Sequence, residues 1–135
     1  MKTIALCIAA AALTGVYFVP AQERSDVERK DSRSDFMARK LKCGQKMLAD
    51  LSRRDLLSVQ EDADLLEMIC ADLQWNVLQT PEYLERSATF RRTIAALSTA
   101  ARDSKFDRAR LEYADLLGQC FACHEYLRDR KKEVK

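Results

Sequence analysis

Thr80-Pro81-Glu82-Tyr83-Leu84-Glu85-Arg86-Ser87-Ala88-Thr89-Phe90-Arg91-Arg92-Thr93-Ile94-Ala95-Ala96-Leu97-Ser98-Thr99-Ala100-Ala101 holds both the start of a helix and its buried face. A capping hydroxyl, a proline at the first helical position and an acid in the first turn mark the start. From there Tyr83, Ser87, Phe90, Ile94, Leu97 and Ala101 recur at alternating steps of three and four, the period of an amphipathic α-helix.

The same period runs outward on both sides. Upstream, Met37, Leu41, Gly44, Leu48 and Leu51 form one stripe after a cap at Ser34 or Asp35, and Val59, Ala63, Leu66, Cys70, Leu73 and Val77 form another after Asp55. Downstream, a fourth segment begins near Asp107 and carries Ala109, Tyr113, Leu116, Cys120, Cys123 and Leu127. No stretch alternates with the period of a strand. The chain of 135 residues has three Gly and two Pro, and 47% of it is apolar, enough to fill one core. Connections near residues 52–54, 78–80 and 103–106 are short, which favours antiparallel neighbours. The expectation is an all-α, antiparallel up-down-up-down four-helix bundle over residues 35–131, followed by a basic tail, 132–135.

Residues 1–21 read as a signal peptide: Lys2 is a minimal charged region, an apolar run extends from Ile4 to Val19, and Val19-Pro20-Ala21 supplies small cleavage positions. The alternative, a retained membrane anchor, falls short of the roughly 20 apolar residues a spanning helix needs. Export to the periplasm follows from cleavage, with no membrane span left in the mature chain. Residues 22–34 mix charges with almost no apolar group and read as a flexible polar leader. Past residue 21 the chain has 22 basic and 21 acidic residues, so no strong field points to nucleic acid.

Chemistry concentrates in Cys120-Phe121-Ala122-Cys123-His124, where two thiols three apart can each add to a haem vinyl group and the adjacent imidazole can ligate the iron. His124 is the only histidine. At about 100° per residue the three side chains span an arc of roughly 100°, so all three are expected to point into one interior. A thiol redox pair expects a βαβ pattern that is missing here, and a structural zinc site expects four ligands, whereas Cys43 and Cys70 stand apart. With no second histidine and no convergent acid pair, the chain is not expected to be an enzyme.

An export signal, four helices and a lone Cys-Xaa-Xaa-Cys-His near the C-terminus together resemble the cytochrome c′ family of class II c-type cytochromes. The likeness covers about residues 35–131 and is sharpest at Gln119-Cys120-Phe121-Ala122-Cys123-His124-Glu125-Tyr126-Leu127-Arg128, and looser at Arg39-Lys40-Leu41-Lys42-Cys43-Gly44-Gln45-Lys46-Met47-Leu48. The resemblance implies one haem c, covalent through Cys120 and Cys123, with His124 as axial iron ligand. It also implies a residue of the first helix on the distal side, and the match puts Leu41 there. Met37, one turn earlier, offers a thioether if the haem sits nearer the helix start. The expectation is that His124 is the sole protein ligand, that Leu41 covers an apolar pocket, and that the ferric iron is high-spin and five-coordinate. Arg128 either lies beside the proximal face, as the family often has it, or pairs with Glu125 one turn away.

Two functions fit these expectations. One is electron transfer by Fe(III)/Fe(II) cycling with a protein redox partner; the alternative is binding or sensing of nitric oxide or carbon monoxide at an open distal position. Cys43 and Cys70 sit too far apart along antiparallel helices for a bridge, offset by roughly 10 Å. On the second helix Trp75 shares a back face with Met68 and Ala71, which leaves two readings: a weak homodimer on this face, as the resemblance implies, or an aromatic that covers the nearby loop.

Overall fold

The computed structural model describes the backbone of residues 21–71 and 78–133 and the side chains of residues 33–71 and 78–130. Within these residues the chain forms four helices: α1 (Ala21–Ser52), α2 (Leu56–Ala71), α3 (Pro81–Arg102) and α4 (Phe106–Glu133). They close into an all-α four-helix bundle in which α1 meets α2, α2 meets α3, α3 meets α4, and α4 returns to α1 with the sparsest contact of the four. The expected signal peptide, apart from Ala21, lies outside the described residues, as do Leu73, Trp75 and Val77. Met68 and Ala71, expected to share a face with Trp75, are exposed. Among the described residues no helix is long and apolar enough to cross a membrane.

Helices α2 and α3 start where their local chemistry says they should. Thr80 caps α3, accepting a hydrogen bond from the Tyr83 N–H at 3.3 Å, with Pro81 behind it at the first helical position. Asp55 caps α2 in the same way: its carboxylate accepts from the Ser58 N–H at 3.2 Å and from the Ser58 hydroxyl at 2.8 Å, and these bonds hold its acidity below the usual range. The α1–α2 and α3–α4 turns share one geometry. The N–H of Arg54 bonds to the Leu51 carbonyl and that of Asp55 to the Asp50 carbonyl, just as Ser104 bonds to Ala101 and Lys105 to Ala100. These paired bonds are a Schellman closure. Its left-handed position is filled by Arg54 at φ 58° and by Ser104 at φ 56°, where glycine is the usual occupant.

Two boundaries differ from expectation. Helix α1 begins at Ala21, so residues 22–34 continue it rather than forming a flexible leader. Their Glu, Gln, Arg and Lys are good helix formers with no Gly or Pro among them, and a helix already anchored by packing extends at little cost. At the other end α4 runs through Glu133, into the segment expected to be a tail.

The largest correction concerns the face of α1. The expected stripe held Leu41 and Leu48, yet these are 62% and 56% exposed. The buried face is Phe36, Cys43, Met47, Asp50 and Leu51, with Lys40 half-buried between Phe36 and Cys43. The helix is therefore turned by one residue, about 100°. That turn seats two polar residues inward, and they are tolerated because partners exist for them: Asp50 pairs with Arg53, and Lys40 lies over the Phe90 ring. Helix α3 buries all six expected positions, and α2 adds Asp62 and Ile69 to its four described ones.

A side-chain hydrogen bond crosses each seam and fixes register. Lys46 donates to Asp62 at 2.8 Å between α1 and α2, and the Ser98 hydroxyl to Asp64 at 2.6 Å between α3 and α2. Gln119 donates to Thr93 at 2.7 Å between α4 and α3, and the Tyr113 hydroxyl to the Gly44 carbonyl at 2.8 Å between α4 and α1.

Candidate functional site

The helix-forming period that places Tyr113 and Leu116 in the core carries on into Cys120 and Cys123, which are half-buried. Further along α4, Leu127 is also half-buried. This end of the helix is held in place through Tyr126: its hydroxyl shares a 2.9 Å hydrogen bond with the Thr80 cap of α3, and Arg130 donates to it at 3.1 Å. The Arg86 guanidinium sits 5.1 Å from the centre of the same ring. On the preceding turn Gln119 ties α4 to α3.

Burial pushes the acidity constants of Cys120 and Cys123 up, with the Lys40 ammonium opposing the shift in both. Lys40 of α1 acts on both thiols through its charge, and its Nζ lies 4.0 Å from the centre of the Phe90 ring of α3. Cys70, fully buried near the end of α2, feels the same cation, though burial still raises its pKa to about 11. The site therefore draws on all four helices: Lys40, Cys70, Phe90 and the motif.

His124 does not follow the thiols inward. It is exposed, on the edge of the arc about 140° around α4 from Gln119, which marks the α3 side. That turns it toward the loose α4–α1 seam rather than into the core. Phe121, inside the motif, is 75% exposed. Arg128 pairs with Glu125 at 3.8 Å on the surface, the second of its two expected arrangements. Met37 is half-buried against the core, whereas Leu41 points away from the thiols into solvent. The expected distal cover is consequently not at the site, and its place on α1 is taken by Lys40. Sequence reading missed Lys40 because a charged residue breaks an apolar stripe. The usable signal was its spacing, four after Phe36 and three before Cys43.

The bland chemistries of the motif gain nothing from this geometry. A thiol redox pair works through a lowered thiolate pKa, and here both thiols are raised. Among the described residues no three His, Cys, Asp or Glu side chains gather to hold a metal ion, so a four-ligand zinc site is not assembled. Cys43 and Cys70 are free and buried.

The residues fit a covalent haem in kind: two thiols on one face, an accessible imidazole next to them, and an aromatic wall at Phe90. A cavity of about 210 Å³ lies between α3 and α4, lined by Glu85, Arg86, Thr89, Gln119 and Ala122. It is smaller than the roughly 300–1,000 Å³ typical of organic-ligand pockets, and it lies on the opposite side of α4 from His124. No protein-family model, curated protein or solved structure matches this chain, so the resemblance to cytochrome c′ rests on the sequence motif and on the presence of four helices alone.

Proposed function

We propose that this protein is an exported, periplasmic c-type cytochrome of the cytochrome c′ kind, with one covalent haem and a role in electron transfer. What supports the reading is the motif itself, with Cys120 and Cys123 half-buried on one face of α4 and the imidazole of His124 exposed beside them. A haem bound there supplies one-electron chemistry by Fe(III)/Fe(II) cycling. The chain's own part is to hold it. Cys120 and Cys123 would hold it through thioether bonds, His124 would give the iron a nitrogen ligand, and Phe90 would keep water from the buried side. Exposed Phe121 and His124 put the motif at the protein surface, where a redox partner can approach closely. The Thr80–Tyr126 and Gln119–Thr93 hydrogen bonds keep α4 from shifting as charge changes.

The test is covalent attachment. Intact mass of the exported protein is expected to exceed that of the polypeptide by one haem, and acidified organic solvent is expected to leave the haem on the protein. Release of the haem by that solvent, or attachment that survives Cys120→Ala together with Cys123→Ala, overturns the reading.

A further inference from the structure

We infer that Asp50 and Asp62 share one proton across the α1–α2 seam, and that this proton latches the two helices together beside their turn. The inference does not depend on the haem. Both side chains are buried, Asp50 at 2% and Asp62 at 4% exposed. Each commits one oxygen to an ion pair, Asp50 Oδ1 with Arg53 and Asp62 Oδ1 with Lys46 at 2.8 Å. The second oxygen of each, Oδ2, is buried with no hydrogen-bond partner among the described residues. Lys46 and Asp50 lie one turn apart on one face of α1, so the cation that holds Asp62 also stands beside Asp50, and the two carboxyl groups are hydrogen-bonded to each other. Two carboxylates are acceptors only, so a bond between them requires that one carry a proton. That proton is the donor the two bare oxygens lack.

The charges that face the pair come from the two helices that hold it. From α1 these are Lys46, Arg53 and the Cys43 thiol, whose own acidity is held down by burial and then by Asp62. On the other flank of α2, α3 makes its contact through Ser98 at Asp64, with Arg102 beside it, about 160° around the helix from Asp62. From α4, Phe106 meets the turn and receives Arg54. Release of the proton to solvent base leaves two buried anions against Lys46 and Arg53, with an unsatisfied oxygen on each. Their repulsion falls on the last turn of α1, where the Asp50 carbonyl also accepts from the Asp55 N–H at 2.9 Å. The folded pair binds its proton more tightly than the unfolded chain does, so the latch is complete below the ordinary carboxylate value and is lost as pH rises through the value of the pair. Asparagine at either position supplies permanently what the proton supplies: its amide donates to the partner's Oδ2 while its carbonyl still accepts from Arg53 or Lys46.

The experiment is infrared difference spectroscopy of the full chain at about pH 6, about two units above the value of a free aspartate. Wild type is expected to show the carbonyl band of a protonated carboxylic acid, and Asp50→Asn and Asp62→Asn are each expected to lose it, since one carboxylate bound to an amide remains. In urea titrations the unfolding constant of wild type relative to either single variant is expected to rise by up to about tenfold per pH unit above about pH 4. The double variant, with two amides face to face, is expected to be less stable than either single one. At about pH 8 the Asp55 amide is expected to exchange with solvent faster in wild type than in either single variant at the same pH, which reads the latch directly. Absence of the acid band at about pH 6, or its survival in either single variant, overturns the shared proton and leaves both groups ionised around a buried water. Equal exchange at Asp55 in all three proteins overturns the latch.

Discussion

Replacing Met47 and Leu48 one at a time by alanine tests which face of α1 is inside, and with it everything that hangs on Asp50. The two residues are neighbours with similar side-chain volumes, but Met47 is completely buried and Leu48 is 56% exposed. Removing a fully buried methionine side chain forfeits its transfer free energy and leaves a cavity, together about 2–5 kcal/mol. Removing an exposed leucine on the outer face of a helix is expected to change stability by no more than about 0.5 kcal/mol. A cost of about 3 kcal/mol lowers the Tm of a domain near 100 residues by roughly 12–24 °C, which leaves Met47→Ala folded at room temperature if the parent has ordinary stability. The assay is thermal unfolding followed by far-ultraviolet circular dichroism, with both variants prepared in the same way and at low protein concentration. If Leu48→Ala costs as much as Met47→Ala, α1 faces the other way, Leu41 returns to the core, and the argument for Asp50 fails.

The two left-handed turn positions offer a matched pair: Ser104→Gly relieves a left-handed serine at φ 56° and is expected to stabilise the bundle by about 0.5–1 kcal/mol, whereas Arg54→Gly also removes a guanidinium 4.4 Å from the Phe106 ring and should come out near zero. Urea titration of both checks this, and a destabilised Ser104→Gly counts against the turn geometry. Asp50 gives a pH dependence. Burial, then its hydrogen bond with Asp62, raises its acidity constant against the pull of Arg53, so the folded state holds its proton more tightly than the unfolded one. Its contribution to stability is then fully present below the ordinary carboxylate value and is lost as pH rises through the folded value. Asp50→Asn is expected to gain on wild type in urea titrations between about pH 4 and about pH 7, and a variant that loses ground over that range contradicts the sign.

The number of helices, their order and most of their starts were legible in the chain itself. Thr80-Pro81 and Asp55 mark starts by local hydrogen bonding that depends on few other residues, and α3 shows its face without ambiguity because its six apolar or small positions have no rival. The motif was legible for the same reason: thiol and imidazole spacing on one helix is a property of sequence. In α1 the pattern was ambiguous, since Leu41 and Leu48 make a more apolar stripe than Phe36, Lys40, Cys43, Met47 and Asp50. Periodicity fixes that a helix has a face, but which of two adjacent stripes is buried depends on what the neighbouring helices offer. Here Phe90 of α3 receives Lys40, while Asp50 pairs locally with Arg53 in the turn after α1, so the less apolar stripe goes inside. Only the packing of α1 against α2 and α3 could decide that, because the residues that make a buried lysine tolerable lie up to 50 positions away along the chain.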